Sequence, residues 1–421
     1  RYNPASFLPG PLPTFTRMAP VYRPASPWEQ GQLVLRTAQG KPYPVAFGST
    51  IQAFWGTLVF APPGRGKSFL MNCLNAGLLF SPGLTDLPYI TIIDKGMSSA
   101  NVIEMARGLL PKERRHQAVS IRLRNTTDYA INVFDTQLGL DFPTERERDF
   151  QVNIISALCP ALGQEGPKFI GQVIDAAYKN LSRESLSAKR WQRALDEEVT
   201  QRLLEEGMQI DESSAPRIWD VVDKLFDLGD PHAAAQAQRY AVPIMDDLIM
   251  AANTDAVQDL YKRTPSSSGE MITDVFIRSI TSAAREYALL STYTRFDIGD
   301  ARVISVDLEE VLASATSEES HRRAAVMILF ARQLGAKNYF LKWSEIERMV
   351  PQRYQRYQSA RIKNIFETLK FLEYDEFHNA HGMADVLRMV QQDFREGRKY
   401  NVVPLLSSQL FSDCSNDLVN T

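Results

Sequence analysis

Short, nearly unbroken apolar runs alternate with helical stretches in the first and last parts of the chain, and helix follows helix between them. TLVF at 57–60 precedes FLMNCLNAGLLF at 69–80, an apolar helical stretch. YITIID at 89–94, a helix near 98–110 and AVSIRL at 118–123 follow. Strands without polar alternation are buried on both faces, and strands separated by helices predict a parallel sheet. From about 145 to 290 apolar residues recur at helical spacing, for example in ERERDFQVNIISALCPAL, AKRWQRALDEEVTQRLLEEGM and AAAQAQRYAVPIMDDLIMAA. This predicts a helical insertion. ARVISVDL at 301–308, a helix at about 318–340, TLKFLEYDEF at 368–377, a helix at 382–397 and NVVPLLSSQ at 401–409 bring the sheet pattern back. Ahead of it all, residues 1–31 are Pro-rich and predict an extended lead-in, and 31–47 alternates around Gly40 as a hairpin does.

The stretch APPGRGKSFL, 61–70, sits between the first sheet strand and its helix. Gly66, Lys67 and Ser68 match the end of the phosphate-loop pattern G-x-x-x-x-G-K-[ST], while Ala61 stands where the first glycine belongs. A loop from a strand to a helix N-terminus is where backbone N–H groups can cradle an anion. Pro62 and Pro63 have no N–H, so the donors come from Gly64 onward. The expected cofactor-binding set is Gly64, Arg65, Gly66, Lys67, Ser68 and Phe69, holding ATP. Lys67 would reach the β- and γ-phosphates, and the Ser68 hydroxyl would ligate Mg²⁺. The competing reading is a plain Gly/Pro turn. The fold class expected is α/β: a RecA-like P-loop NTPase with a mostly parallel sheet flanked by helices and an all-α insertion. The divisions that follow are 1–50 (lead-in and hairpin), 51–144 (first part of the core), 145–290 (helical insertion) and 291–421 (second part of the core).

Other segments add chemistry. FLEYDE ends a strand on Asp375 and Glu376. A strand-end Asp in such a fold holds the Mg²⁺ shell, and the adjacent Glu is placed as general base for the attacking water; Glu373 competes for that role. LLSSQL puts Ser407, Ser408 and Gln409 where a strand end can orient water or sense the γ-phosphate. FREGRKYN places Arg395, Arg398 and Lys399 at a helix end, either as cations complementing the helix dipole or, for one arginine, as a finger offered to a neighbouring subunit. DKGMSS begins with Asp94 and Lys95 at a strand C-terminus, the ligand edge of open α/β sheets. RNTTDYAINVFD carries a polar turn and then Asn132, Val133 and Phe134. The run 346–364 is basic with interleaved tyrosines, fitting a solvated helix face or a contact with nucleic acid or an acidic partner.

Composition narrows the classes. The net charge is −3 over 421 residues, so no global field draws the chain to nucleic acid or anionic lipid. Cys73, Cys159 and Cys414 lack metal-ligand spacing and read as reduced thiols of a cytosolic protein. No apolar run approaches the ~20 residues of a membrane span, and no signal peptide is visible. The chain starts at Arg1 rather than Met, which predicts a piece of something longer without its N-terminal part.

Taken in order, APPGRGKS, YITIIDKG, YAINVFD, the helical insertion, ISVDLEEVL, YDE, GRKYN and SSQ resemble the type IV secretion and conjugation ATPases of the VirB/TraC-type family, from about 50 to 415. The wording of DKGMSS and YDEFHNA, with Ala61, is most similar to the Dot/Icm type IVB branch. The resemblance implies that Lys67 and Ser68 are the Walker A pair, Asp375 and Glu376 the Walker B pair, Gln409 a phosphate sensor and Arg398 the trans-acting finger. It further implies a homo-oligomer, a hexamer, working on protein substrates with other secretion-system ATPases and inner-membrane complex proteins. The location implied is cytoplasmic, peripheral to the bacterial inner membrane. Val133 departs from the family's Asn-Pro-Phe, leaving that turn open. The function expected is an ATPase that energises translocation or apparatus assembly. The alternatives are a DNA-translocating conjugative motor and a nucleotide-binding scaffold with little hydrolysis.

Overall fold

The computed structural model describes residues 25–96, 98–207, 215–296, 298, 301–312, 318–377 and 383–410. Most of the Pro-rich lead-in, the end of YDEFHNA and Cys414 lie outside the described residues.

A hairpin comes first: β1 (Leu33–Arg36) pairs antiparallel with β2 (Pro42–Val45), and the turn between them carries Gly40 at φ +82°. The main sheet has six strands: β3 (Thr57–Phe60), β4 (Tyr89–Asp94), β5 (Ala118–Arg122), β6 (Val303–Asp307), β7 (Lys370–Tyr374) and β8 (Val402–Ser408). Their spatial order is β3-β8-β7-β4-β6-β5, and every pair is parallel. All six C-terminal ends therefore lie along one edge. The four inner strands are buried on both faces, which is why their sequences read as apolar runs without alternation.

One face is covered by α1 (Lys67–Leu79) and α2 (Ala100–Gly108), whose Met71, Leu74, Val102 and Ile103 meet Ile90, Ile92, Phe371 and Leu405. The segment between β5 and β6 is helical, as its spacing predicts. It holds α3 (Glu145–Leu158), α4 (Gly166–Leu181), α5 (Glu197–Glu205), α6 (Ile218–Asp227), α7 (Pro231–Gln238), α8 (Met245–Ala252), α9 (Asp255–Tyr261) and α10 (Ile272–Glu286). The chain then adds α11 (Glu318–Ala336), α12 (Trp343–Ile346), α13 (Gln352–Glu367) and α14 (Ala384–Glu396). Apolar residues of α3, α11 and α14 meet Ile93, Leu372, Tyr374 and Leu406 on the second face, in a core continuous with the helical segment.

Local chemistry explains where the helical pattern overran. Residues 188–195 are not helical; Asp196 caps α5 by accepting from the Val199 N–H, and Trp191 is buried through its own contacts. The stretch 233–252 falls in two helices, because Pro243 interrupts it and Asp247 accepts from the Ile244 N–H to start the second. The basic run 346–364 lies largely in α13. Its Tyr354 is buried with its hydroxyl on Asp223, and Arg353 pairs with Asp223 and Asp227, so part of that run serves internal packing.

Candidate active site

The loop 61–66 turns on two glycines in the left-handed region, Gly64 at φ +74° and Gly66 at φ +84°. A Cβ at either would meet nothing within 4 Å, so backbone conformation rather than crowding calls for glycine here. Gly66 precedes α1 with no side-chain cap, leaving the first helical N–H groups free to meet an anion. Phe69 stands three-quarters exposed in the first turn.

Parallel pairing brings the distant segments to this loop. β8 lies between β3 and β7, with Ser408 opposite Phe60 and Leu406 opposite Tyr374. The residues just past these strand ends therefore converge. The Lys67 ammonium is hydrogen-bonded to Glu376 and stands 3.3 Å from Asp375. The Asp375 side chain is almost wholly buried; it accepts from the Ser407 hydroxyl and from the Glu376 N–H at 2.8 Å, while the Asp375 N–H donates to the Ile93 carbonyl. The Gln409 amide donates to the second Glu376 oxygen at 3.2 Å. Glu376 has φ +52°, rare for a residue with a Cβ. Lys67, Asp375, Glu376 and Gln409 thus form one cluster.

Acids exceed bases around it. The Asp94 carboxyl, at the end of neighbouring β4, is pushed up to about 6 by burial, with the Asp375 and Asp307 charges adding to the rise and the Ser98 hydroxyl opposing it. The Lys67 ammonium faces the Asp375 and Glu376 carboxylates, and a divalent cation between a phosphate and this cluster would take Ser68 and Asp375 as its protein ligands. The cradle of positive-φ glycines, the lysine and the acid excess fit Mg²⁺ with a polyphosphate.

Arg398 does not join the cluster. It lies just before β8 starts, whereas the phosphate loop lies beyond the strand's far end, about 20 Å away at a strand's rise per residue. Its guanidinium donates to the Ala53 carbonyl at 2.9 Å and is exposed. Nearby Lys399 is held by Glu345, and Lys370, buried at the start of β7, donates to the Thr368 and Tyr400 carbonyls and so fixes this turn. Ser407 and Ser408 are buried rather than presented to a ligand. Asn132, Val133 and Phe134 lie outside the cluster. The Asn132 side chain accepts from the Phe134 N–H, so the turn forms without proline.

Glu373 is settled by burial. It faces α1, and its carboxyl is 2.6 Å from the Asn75 amide, with burial raising its pKa to about 8. A protonated, buried carboxyl is no base for a solvent-fed site. Two polar residues on otherwise apolar faces, Asn75 and Glu373, were the available signal that they meet; the sequence reading did not pair them. Between pH 4.5 and 8 the folded protein keeps a proton here that the unfolded chain releases, so stability falls as pH rises through that window. Glu373→Gln removes this dependence. Its unfolding free energy relative to wild type, read from denaturant melts, rises from pH 5 to pH 8 by an amount on the order of 2–4 kcal/mol. A difference that is constant with pH contradicts a raised Glu373.

No protein-family model matches the chain, and no curated protein matches it. Among solved structures it is similar to VirB4 of Thermoanaerobacter pseudethanolicus, with a TM-score of 0.53 and 14% identity over 94% of this chain and 82% of that one. The likeness establishes the fold: a parallel six-stranded sheet flanked by helices. No helix among the described residues is long and apolar enough to cross a membrane.

Proposed function

We propose that this chain is the ATP-hydrolysing motor subunit of a type IV secretion system, of the VirB4/TraC kind. On the wording of DKGMSS and YDEFHNA together with Ala61, we further propose the Dot/Icm type IVB branch, with DotO (IcmB) as its counterpart. The observation that carries the reading is the convergence of Lys67, Asp375, Glu376 and Gln409 from three distant segments.

The loop from Gly64 to Phe69, with the Lys67 ammonium, would hold the phosphates, and Ser68 and Asp375 would hold Mg²⁺. Mg²⁺, when bound, draws charge from the phosphate oxygens. Without nucleotide, Lys67 is engaged with Glu376. Phosphates arriving at Lys67 compete for that ammonium, which frees Glu376 to accept a proton from water. Gln409, bonded to the same carboxylate, orients that water. Because Arg398 lies on the opposite sheet edge, it acts on the nucleotide of the next subunit, which requires a homo-oligomer, a hexamer in this family. The partners are other secretion-system ATPases and inner-membrane complex proteins, the cargo is protein, and the place of work is the cytoplasmic side of the bacterial inner membrane. Binding of a fluorescent ATP analogue to wild type and to Lys67→Ala tests the site on which all of this rests.

A further inference from the structure

The turn bearing Asp375 and Glu376 is bounded by two buried aromatics, Tyr374 at the end of β7 and Phe377. Their rings meet edge to face with centroids 6.5 Å apart. The residue between them at φ +52°, Glu376, is in a conformation that persists only where the surroundings enforce it. Tyr374 reaches away from the nucleotide side, into the core beneath α11 and α14. Its hydroxyl donates to Asp393 of α14 at 2.7 Å. Asp393 in turn accepts two hydrogen bonds from Arg332 of α11, at 2.7 and 3.2 Å. Arg332, Asp393 and Tyr374 are all more than nine-tenths buried.

A buried ion pair is weak evidence for stability, because apolar residues of equal volume often serve as well or better. What this pair supplies is a fixed acceptor at one point. Asp393 is locked by the two-pronged guanidinium, and the locked carboxylate fixes the Tyr374 ring. The ring then meets Phe377 and closes the turn. We infer that Tyr374, anchored through Asp393 and Arg332, is a positioning residue that holds Glu376 in its strained conformation beside Lys67 and Gln409. The inference rests on the reading of Glu376 as the base, but part of its test does not.

Tyr374→Phe removes the hydroxyl alone and keeps the ring and the Arg332–Asp393 pair. Amide hydrogen exchange is measured without nucleotide on both proteins. The amides of 375–377 exchange at least ~10-fold faster in the variant, while those of β8 are unchanged. Equal exchange at 375–377 overturns the inference whatever the ATPase shows. ATP turnover supplies the second arm: kcat falls ~10-fold or more with KM within twofold, as misplacement of a catalytic group does. Faster exchange with unaltered kcat overturns the role in hydrolysis. If wild-type protein hydrolyses no ATP in any assembly state, the proposed function fails, and the exchange result still decides whether Tyr374 positions the turn.

Discussion

Glu376→Gln keeps ATP bound and slows its turnover by ~10²–10⁴-fold, the usual cost of losing one general base. The amide can still hold a water but cannot take its proton. Binding survives because the phosphates are held by the loop and Lys67, and the neutral side chain releases Lys67 from its present partner. ATP affinity is therefore equal to or tighter than wild type. Glu373 cannot substitute, being buried, protonated below about pH 8 and turned toward Asn75. Single-turnover hydrolysis with a separate binding titration distinguishes these effects. Turnover at the wild-type rate removes Glu376 from the base role.

Arg398→Ala stops hydrolysis in the assembled state by ~10³–10⁵-fold, the range for an arginine finger. The monomer folds and binds ATP as before, since the exposed side chain donates to the Ala53 carbonyl and lies an entire strand length from its own Lys67 loop. That separation sharpens the alternative. A cation that only complements the end of α14 changes the melting temperature slightly and leaves turnover intact. Mixing Arg398→Ala with Lys67→Ala subunits provides the decisive comparison. Some interfaces then pair an intact loop with an intact arginine, and part of the activity returns. No recovery, together with full turnover by Arg398→Ala alone, assigns the residue to the helix end and makes Arg395 the next candidate.

The strands and the glycine turn before α1 were legible because their signals are local. TLVF and YITIID are apolar runs bounded by turn residues and form strands at the expected limits, while the run 368–377 forms a shorter one, Lys370–Tyr374. The helical run between β5 and β6 was equally plain from its period. Helix ends were less so: an Asp196 cap and a Pro243 break had to outweigh continuous periodicity. What the sequence could not display was long-range pairing. Nothing local says that β8, last in the chain, inserts between β3 and β7 and so carries Gln409 to Glu376. The same holds for Arg398. Its place at a helix end was readable, but the sheet edge on which that end lies depends on the direction of β8. Buried polar contacts such as Asn75 with Glu373, or Tyr374 with Asp393, depend on two elements meeting, and periodicity describes each element alone.

The central claim is that the loop at Lys67 is a nucleotide site completed by Asp375 and Glu376. Titration of a fluorescent ATP analogue with Mg²⁺ into wild type and Lys67→Ala tests it most directly, with both proteins first matched for melting temperature. Wild type binds saturably, and Lys67→Ala, which lacks the Lys67 ammonium, shows no saturable binding. Affinity of the variant within twofold of wild type contradicts the account.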